Sequence, residues 1–167
     1  MLEFAEATVV DGLNLLLVAS PSGLRAITWD ASAPGGVRND GNPVLREAVR
    51  QLRAYFAGEL REFRLLLDLQ GTDFQKRVWR QLVTIPYGET RSYSQIAAAI
   101  GSPKAVRAVG AANGANPIPI VVPCHRVIGA GGSLVGYGGG LPLKKRLLEL
   151  EGALAMELRL SAAQETR

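Results

Sequence analysis

Ser92-Tyr93-Ser94-Gln95-Ile96-Ala97-Ala98-Ala99-Ile100-Gly101-Ser102-Pro103-Lys104-Ala105-Val106-Arg107-Ala108-Val109-Gly110-Ala111-Ala112-Asn113-Gly114 spells two short helices with a tight turn between them. Ser92 followed by Gln95 is a capping box, in which the two side chains satisfy backbone N–H groups at a helix start. Tyr93, Ile96, Ala97 and Ile100 give that helix its face, and Gly101 ends it. Ser102 and Pro103 suit the N-cap and first position of a second helix, predicted over residues 103–113 and stopped by Gly114. Two helices joined this way form a helix-turn-helix or an ordinary pair within a bundle. The second helix is slim, with Ala105, Ala108, Ala111 and Ala112 beside the cations Lys104 and Arg107. Such a helix can enter a duplex groove, and the same alanines can equally form a tight packing face.

Upstream, Thr72 and Gln75 form a second capping box, opening a helix that carries Phe74, Val78 and Leu82 and breaks at Pro86-Tyr87-Gly88. The chain before Gln70 reads differently. Leu13 to Val18 and Leu24 to Trp29 are short apolar runs separated by Ser20-Pro21-Ser22-Gly23, the pattern of two strands and a turn. A Gly/Pro/Asn/Asp-rich loop covers residues 31–43. Leu45, Ala48, Val49, Leu52 and Phe56 then follow helical spacing, closed by Gly58, and Leu65 to Leu69 is predicted as a further strand. These readings predict an α/β protein. Its N-terminal sheet-plus-helix domain spans residues 1–67 and a mostly helical domain spans 68–152. Residues 153–167 form an extension, predicted as a helix through Leu154, Met156 and Leu160 and then a polar tail.

Composition narrows the class. The 167 residues are 47% hydrophobic and 20% charged, which suits a globular chain. No apolar run approaches the roughly 18 residues of a membrane span, and the N-terminus lacks a basic region followed by a signal-type core. One cysteine excludes an internal disulfide, which predicts a cytoplasmic protein. One cysteine and one histidine cannot build a Cys- or His-based zinc site, so neither metal nor cofactor is expected. The net charge of +4 is uneven. Residues 1–69 carry seven Lys/Arg against nine Asp/Glu, whereas residues 70–150 carry ten against three. A basic half suits a surface that meets a polyanion, or simply solvated helices.

That single cysteine and single histidine are neighbours, Cys124 and His125, in Pro123-Cys124-His125-Arg126-Val127. A thiol becomes a strong nucleophile as thiolate, and an imidazole is a common activator. Consecutive side chains of a strand point to opposite faces, so the pair can cooperate only if the backbone turns at Cys124. Pro119 and Pro123 fit poorly in a central strand. The apolar run Ile118 to Val122 is expected to carry the segment inward and leave Cys124 partly buried.

Arg107-Ala108-Val109-Gly110, Asn116-Pro117 and Ile120-Val121-Val122-Pro123-Cys124-His125-Arg126-Val127-Ile128-Gly129 together resemble the O6-alkylguanine-DNA alkyltransferase family. The likeness runs on through Gly136-Tyr137, Leu147-Leu148 and Glu151-Gly152 and back through Tyr87-Gly88-Glu89 and Ser92-Tyr93, covering about residues 70–152. Before Gln70 it is weak, the family's opening hairpin surviving loosely as Val10-Asp11-Gly12-Leu13. The resemblance implies a ribonuclease-H-like first domain and a helix-turn-helix second domain that repairs DNA by direct reversal. The alkyl group on O6 of guanine, and also on O4 of thymine, would pass irreversibly to Cys124, once per molecule.

The resemblance also assigns roles. Cys124 would be nucleophile and acceptor, His125 would take its proton through a water, and Glu151 would orient the imidazole. Tyr93 would give a proton to the departing guanine. Arg107 would fill the gap left by the flipped nucleotide. Tyr137 would stack on the purine, Gly138 would offer its amide, and the carbonyls of Cys124 and Val127 would accept from the guanine amine. Asn116 would hold the segments around the cysteine together. Lys104 and Arg126 would contact phosphates, although Arg126 serves equally as a structural ion-pair partner. The partner would be duplex DNA carrying alkylated bases, read from the minor groove, with no membrane and no obligate protein partner. A non-catalytic module that only recognises alkylated bases is the alternative, and the presence of Cys124 argues against it. A cysteine hydrolase would leave the basic helix pair unexplained.

Overall fold

The computed structural model describes residues 1–29 and 35–153, so the helix and tail expected beyond Ala153 lie outside the described residues. The chain divides into two compact units, residues 1–70 with 117–121, and residues 71–116 with 122 onward.

In the first unit, β1 (Glu3–Val10), β2 (Leu13–Ser20), β3 (Gly23–Thr28) and β4 (Val37–Arg38) form one sheet in the order β3-β2-β1-β4. β1, β2 and β3 meander antiparallel, and β4 lies parallel to β1. The β1–β2 hairpin turns on Asp11-Gly12, a two-residue loop in which Gly12 adopts φ +77°. Leu15 to Ala19 of β2 are all buried, which explains a continuous apolar run where a half-exposed strand would alternate. Helix α1 (Pro43–Phe56) begins at Asn42, whose side chain accepts from the Val44 and Leu45 amides, with Pro43 in its first turn. It lays Leu45, Ala48 and Leu52 against β1, β2 and β3. The chain leaves α1 through Gly58 at φ +76°, with Gly58 N–H bonded to Tyr55 O and Glu59 N–H to Ala54 O, a Schellman ending.

Within this unit, β1 and β4 go beyond the sequence expectation. Glu3-Phe4-Ala5-Glu6-Ala7 has no strong apolar alternation, and the strand exists because β2 supplies its backbone partners. The strand expected over Leu65 to Leu69 shrinks to a single bridge. Leu24 N–H donates to Leu66 O at 2.9 Å, and Asp68 N–H donates to Leu24 O at 2.8 Å. Gly23 permits this approach, since a Cβ there would sit 2.5 Å from Leu66 O. The segment 117–121 joins this unit through a 2.9 Å bond from Ile27 N–H to Pro117 O.

The second unit holds α2 (Asp73–Val83), β5 (Arg91–Ser92), α3 (Tyr93–Ala99), α4 (Val106–Gly114), β6 (Val127–Ile128) and α5 (Leu141–Leu150). Both capping boxes form, Thr72 with Gln75 and Ser92 with Gln95. The buried Trp79 ring of α2 donates its N–H to Ala112 O at 2.8 Å, tying α2 to α4. α4 starts three residues later than the sequence predicts. Gly101 (φ +77°) bonds to Ala98 O and Ser102 to Ala97 O, so Ser102 finishes α3 in a Schellman motif instead of capping α4. A turn closed by Ala105 N–H on Ser102 O follows, and α4 begins without a side-chain cap. No helix among the described residues is long and apolar enough to cross a membrane.

Candidate active site

The backbone does turn at the cysteine. Cys124, His125 and Arg126 form one turn of 3₁₀ helix, closed by Arg126 N–H on Pro123 O at 3.0 Å. Asn116 Nδ2 donates to Val122 O at 2.8 Å, pinning the irregular segment just before the turn. After it, β6 pairs in parallel with β5, Arg91 opposite Val127 and Ser92 opposite Ile128. This pairing fixes the exit of the cysteine turn beside the first residue of α3, Tyr93. Four residues before the thiol, Ile120 is fully buried at φ +73°, a conformation a β-branched residue adopts only under constraint.

Cys124 is 5% exposed, and burial pushes its thiol pKa up. A hydrogen bond from Asn116, the charge of Lys144 and backbone N–H groups oppose that rise. His125 is fully buried and its Nε2 lies 2.8 Å from Glu151 Oε2. Burial pushes the imidazole pKa down despite that carboxylate, so the ring is neutral at neutral pH. Glu151 caps α5. Burial raises its carboxyl pKa, but bonds from His125 and Arg126 outweigh burial and hold it at about 2. An ionised carboxylate facing Nε2 requires the proton there, which leaves Nδ1 as the bare lone pair. That Nδ1 is buried with no hydrogen-bond partner among the described residues. The arrangement is a thiol beside a neutral base whose tautomer is fixed by a carboxylate.

Arg126 is 6% exposed. It grips Glu151 with two bonds, Nε to Oε1 at 2.8 Å and Nη2 to Oε2 at 3.0 Å, and reaches Ile85 O with Nη1 at 2.7 Å. These partners use its donors inside the protein, so the geometry supports the ion-pair role and not phosphate contact. The Tyr87-Gly88 motif serves the same cluster. The Tyr87 ring lies 5.8 Å from the Arg126 guanidinium, and a Cβ on Gly88 (φ +84°) would press to 3.2 Å from Glu151 O.

Tyr93, half-buried at the start of α3, donates its hydroxyl to Val135 O at 3.2 Å. Tyr137 is partly buried, and burial first, then the Cys124 and Glu151 charges, push its phenol well up. Gly138 is exposed in the same loop before α5. Lys104 and Arg107 are exposed, Lys104 in the turn before α4 and Arg107 in its first turn. The structure thus clusters Cys124, His125, Glu151, Arg126 and Asn116 and leaves Lys104 and Arg107 on the surface.

Two residues escaped the sequence reading. Lys144 of α5 is fully buried, its Nζ donating to Val127 O at 2.7 Å, Val135 O at 3.1 Å and Gly136 O at 3.3 Å. Burial lowers its pKa to about 8 against the pull of Cys124. Its helical spacing with Leu147, Leu148 and Glu151 places it on the buried face, a signal visible in the sequence. The other is Asn113, buried on α4, with Nδ2 3.4 Å from Cys124 O. No group of three His, Cys, Asp or Glu side chains suited to a metal occurs among the described residues.

The chain matches two family models. One, described as 6-O-methylguanine DNA methyltransferase, DNA binding domain, covers residues 73–153, and the other, the ribonuclease-like domain of the same proteins, covers residues 14–69. A methylated-DNA–protein-cysteine methyltransferase of Mycolicibacterium paratuberculosis is 56% identical over 155 residues, 90% of this chain and 93% of that one. The protein of that name from Mycobacterium tuberculosis is 69% identical over 108 residues, which span 65% of this chain and 66% of its own length. The crystal structure of Mycobacterium tuberculosis OGT in complex with DNA superposes with a TM-score of 0.80 at 51% identity, covering 92% of this chain and 93% of that one.

Proposed function

The chain belongs to the 6-O-methylguanine DNA methyltransferase family, and from that premise we propose that it repairs DNA by moving the alkyl group from O6 of guanine to Cys124. The observation that carries this reading is the buried series Cys124, His125 and Glu151 on one 3₁₀ turn and one helix end. A nucleophile, a base and an orienting carboxylate suit displacement at an alkyl carbon.

The thiol proton passes through a water to the Nδ1 lone pair of His125, and Glu151 stabilises the imidazolium that results. The thiolate attacks the alkyl carbon as the C–O6 bond breaks, and the electron pair leaves with the guanine. Tyr93 then exchanges its bond to Val135 O for the base and supplies the proton that neutralises it. Tyr137 stacks on the purine, and Gly138 gives its backbone amide. The Cys124 and Val127 carbonyls accept from the exocyclic amine. Lys144 already donates to Val127 O, and a carbonyl with two lone pairs can serve both donors. Arg107 holds the vacated stack while Lys104 meets phosphate, with α4 in the minor groove. Binding therefore weakens as salt rises. O4-alkylthymine presents the same alkyl–oxygen bond and is a second substrate. A thioether is a poor electrophile, so each molecule reacts once.

Incubation with duplex DNA containing O6-methylguanine is expected to add about 14 Da at Cys124, one methylene equivalent from a single covalent transfer. Cys124→Ser is expected to bind the same duplex without gaining mass. Repair by that variant, or no adduct on the parent protein, overturns the assignment.

A further inference from the structure

Asn113 is a buried polar side chain to which the reaction above gives no task. It lies near the end of α4 and shares the buried face of that helix with Val109 and Ala112. It is 7% exposed. Its Nδ2 makes one long bond, 3.4 Å to Cys124 O, and its Oδ1 is buried with no partner among the described residues. An orphaned acceptor inside a protein is costly, and a leucine of similar volume would fill the space without that cost. A group of this kind calls for a reason beyond packing.

Its neighbours supply the reason. One turn earlier, Gly110 turns bare backbone toward Tyr93, and a Cβ there would lie 3.9 Å from Cδ1 and Cε1 of the ring. The Gly110–Asn113 turn therefore lies close to both the Tyr93 ring and the Cys124 carbonyl. Burial and the charge of Cys124 push the Tyr93 phenol up, while the nearby Asn113 amide pulls it down, which means the amide favours the ionised oxygen.

We propose that Asn113 is a positioning residue for alkyl transfer, its amide donating to the Tyr93 oxygen while that phenol gives up its proton. The inference rests on the alkyl-transfer reading. As the Sγ–C bond forms and the C–O6 bond breaks, the electron pair leaves on guanine. The Tyr93 proton neutralises that anion, and the negative charge stays on the Tyr93 oxygen until water returns a proton. A phenolate in a half-buried site needs a donor aimed at it beforehand. The Asn113 amide has two N–H groups, so one can keep the Cys124 carbonyl while the other meets Tyr93.

The test compares the parent protein, Asn113→Leu, Tyr93→Phe and the double variant, with Asn113→Ala run in parallel should the leucine not fold. Single-turnover transfer from an O6-methylguanine duplex is followed by mass, and thermal midpoints are recorded. Asn113→Leu is expected to slow transfer about 100- to 1000-fold, the scale of losing one preorganised donor, while its midpoint stays level or rises. In the Tyr93→Phe background the same change is expected to have no further effect, because the oxygen it serves is gone. An equal loss in both backgrounds, or an unchanged parent rate, overturns the inference alone. No adduct on the parent protein overturns the alkyl-transfer reading as well.

Discussion

Glu151 orients the imidazole and neutralises a buried guanidinium with one carboxylate. Its removal therefore has two separable effects. Glu151→Gln leaves the Arg126 charge buried without its counter-ion, which is expected to cost about 3–5 kcal/mol of stability. It also releases the tautomer of His125, and alkyl transfer is expected to slow by roughly 100-fold or more, as when a catalytic base loses its orienting carboxylate. Urea unfolding and adduct mass read the two losses independently. Acid should act on the same pair. The folded His125 pKa lies below its ordinary 6.5, so as pH falls through 6.5 the unfolded chain takes a proton that the folded one refuses. Glu151 adds to the decline as pH falls from 4.5 toward about 2, where the folded carboxyl finally protonates. Below pH 8, where Lys144 is charged in both states, stability is thus expected to drop in two stages as pH falls, the first absent in His125→Asn. A urea midpoint that stays flat from pH 7.5 to 4 would falsify this. At this scale the sequence singled out Cys124 and His125 by their rarity. It left Arg126 ambiguous, carried Lys144 only in its helical spacing with Leu147, Leu148 and Glu151, and hid Asn113, because a residue's burial is set by distant partners that composition does not display.

The elements most legible in the sequence are those whose ends are fixed by side chains a few residues away. Thr72 with Gln75 and Ser92 with Gln95 specify α2 and α3 locally, and Asn42 with Pro43 does the same for α1. Elements fixed from elsewhere stayed hidden or shifted. β1 depends on β2, β4 on β1, and α4 yields its expected cap to the end of α3. The α3–α4 turn offers a clean test. Gly101 sits at φ +77°, and a Cβ there would meet nothing within 4 Å, so strain alone opposes a substitution. Gly101→Ala is expected to lower stability by about 1–2 kcal/mol, the cost of a left-handed conformation for an L-residue. Binding to undamaged duplex is expected to weaken with it, since the turn sets the direction of α4. A thermal midpoint and a fluorescence-anisotropy titration check the two.

Across the whole molecule, the chain passes from the first unit to the second, returns for residues 117–121, and leaves again just before the cysteine. Ile118 and Ile120 in that return segment are fully buried, and Pro117 O relies on Ile27 N–H. No local pattern in the sequence announces this, because a short apolar run reads alike wherever its partners lie. A fragment beginning at Gly71 carries every residue of the proposed reaction yet strips that return segment of its partners. It is expected to bind a hydrophobic dye and to melt without a cooperative transition. A fragment melting sharply at the full-length midpoint would contradict this. A last consequence concerns the solitary sulfur. Because Cys124 is the chain's one thiol, unfolding a sample and titrating it with a thiol reagent separates unspent molecules from used ones. On the proposed reaction the protein would act as a dosimeter, its remaining sulfhydryl content a running count of the lesions it has met.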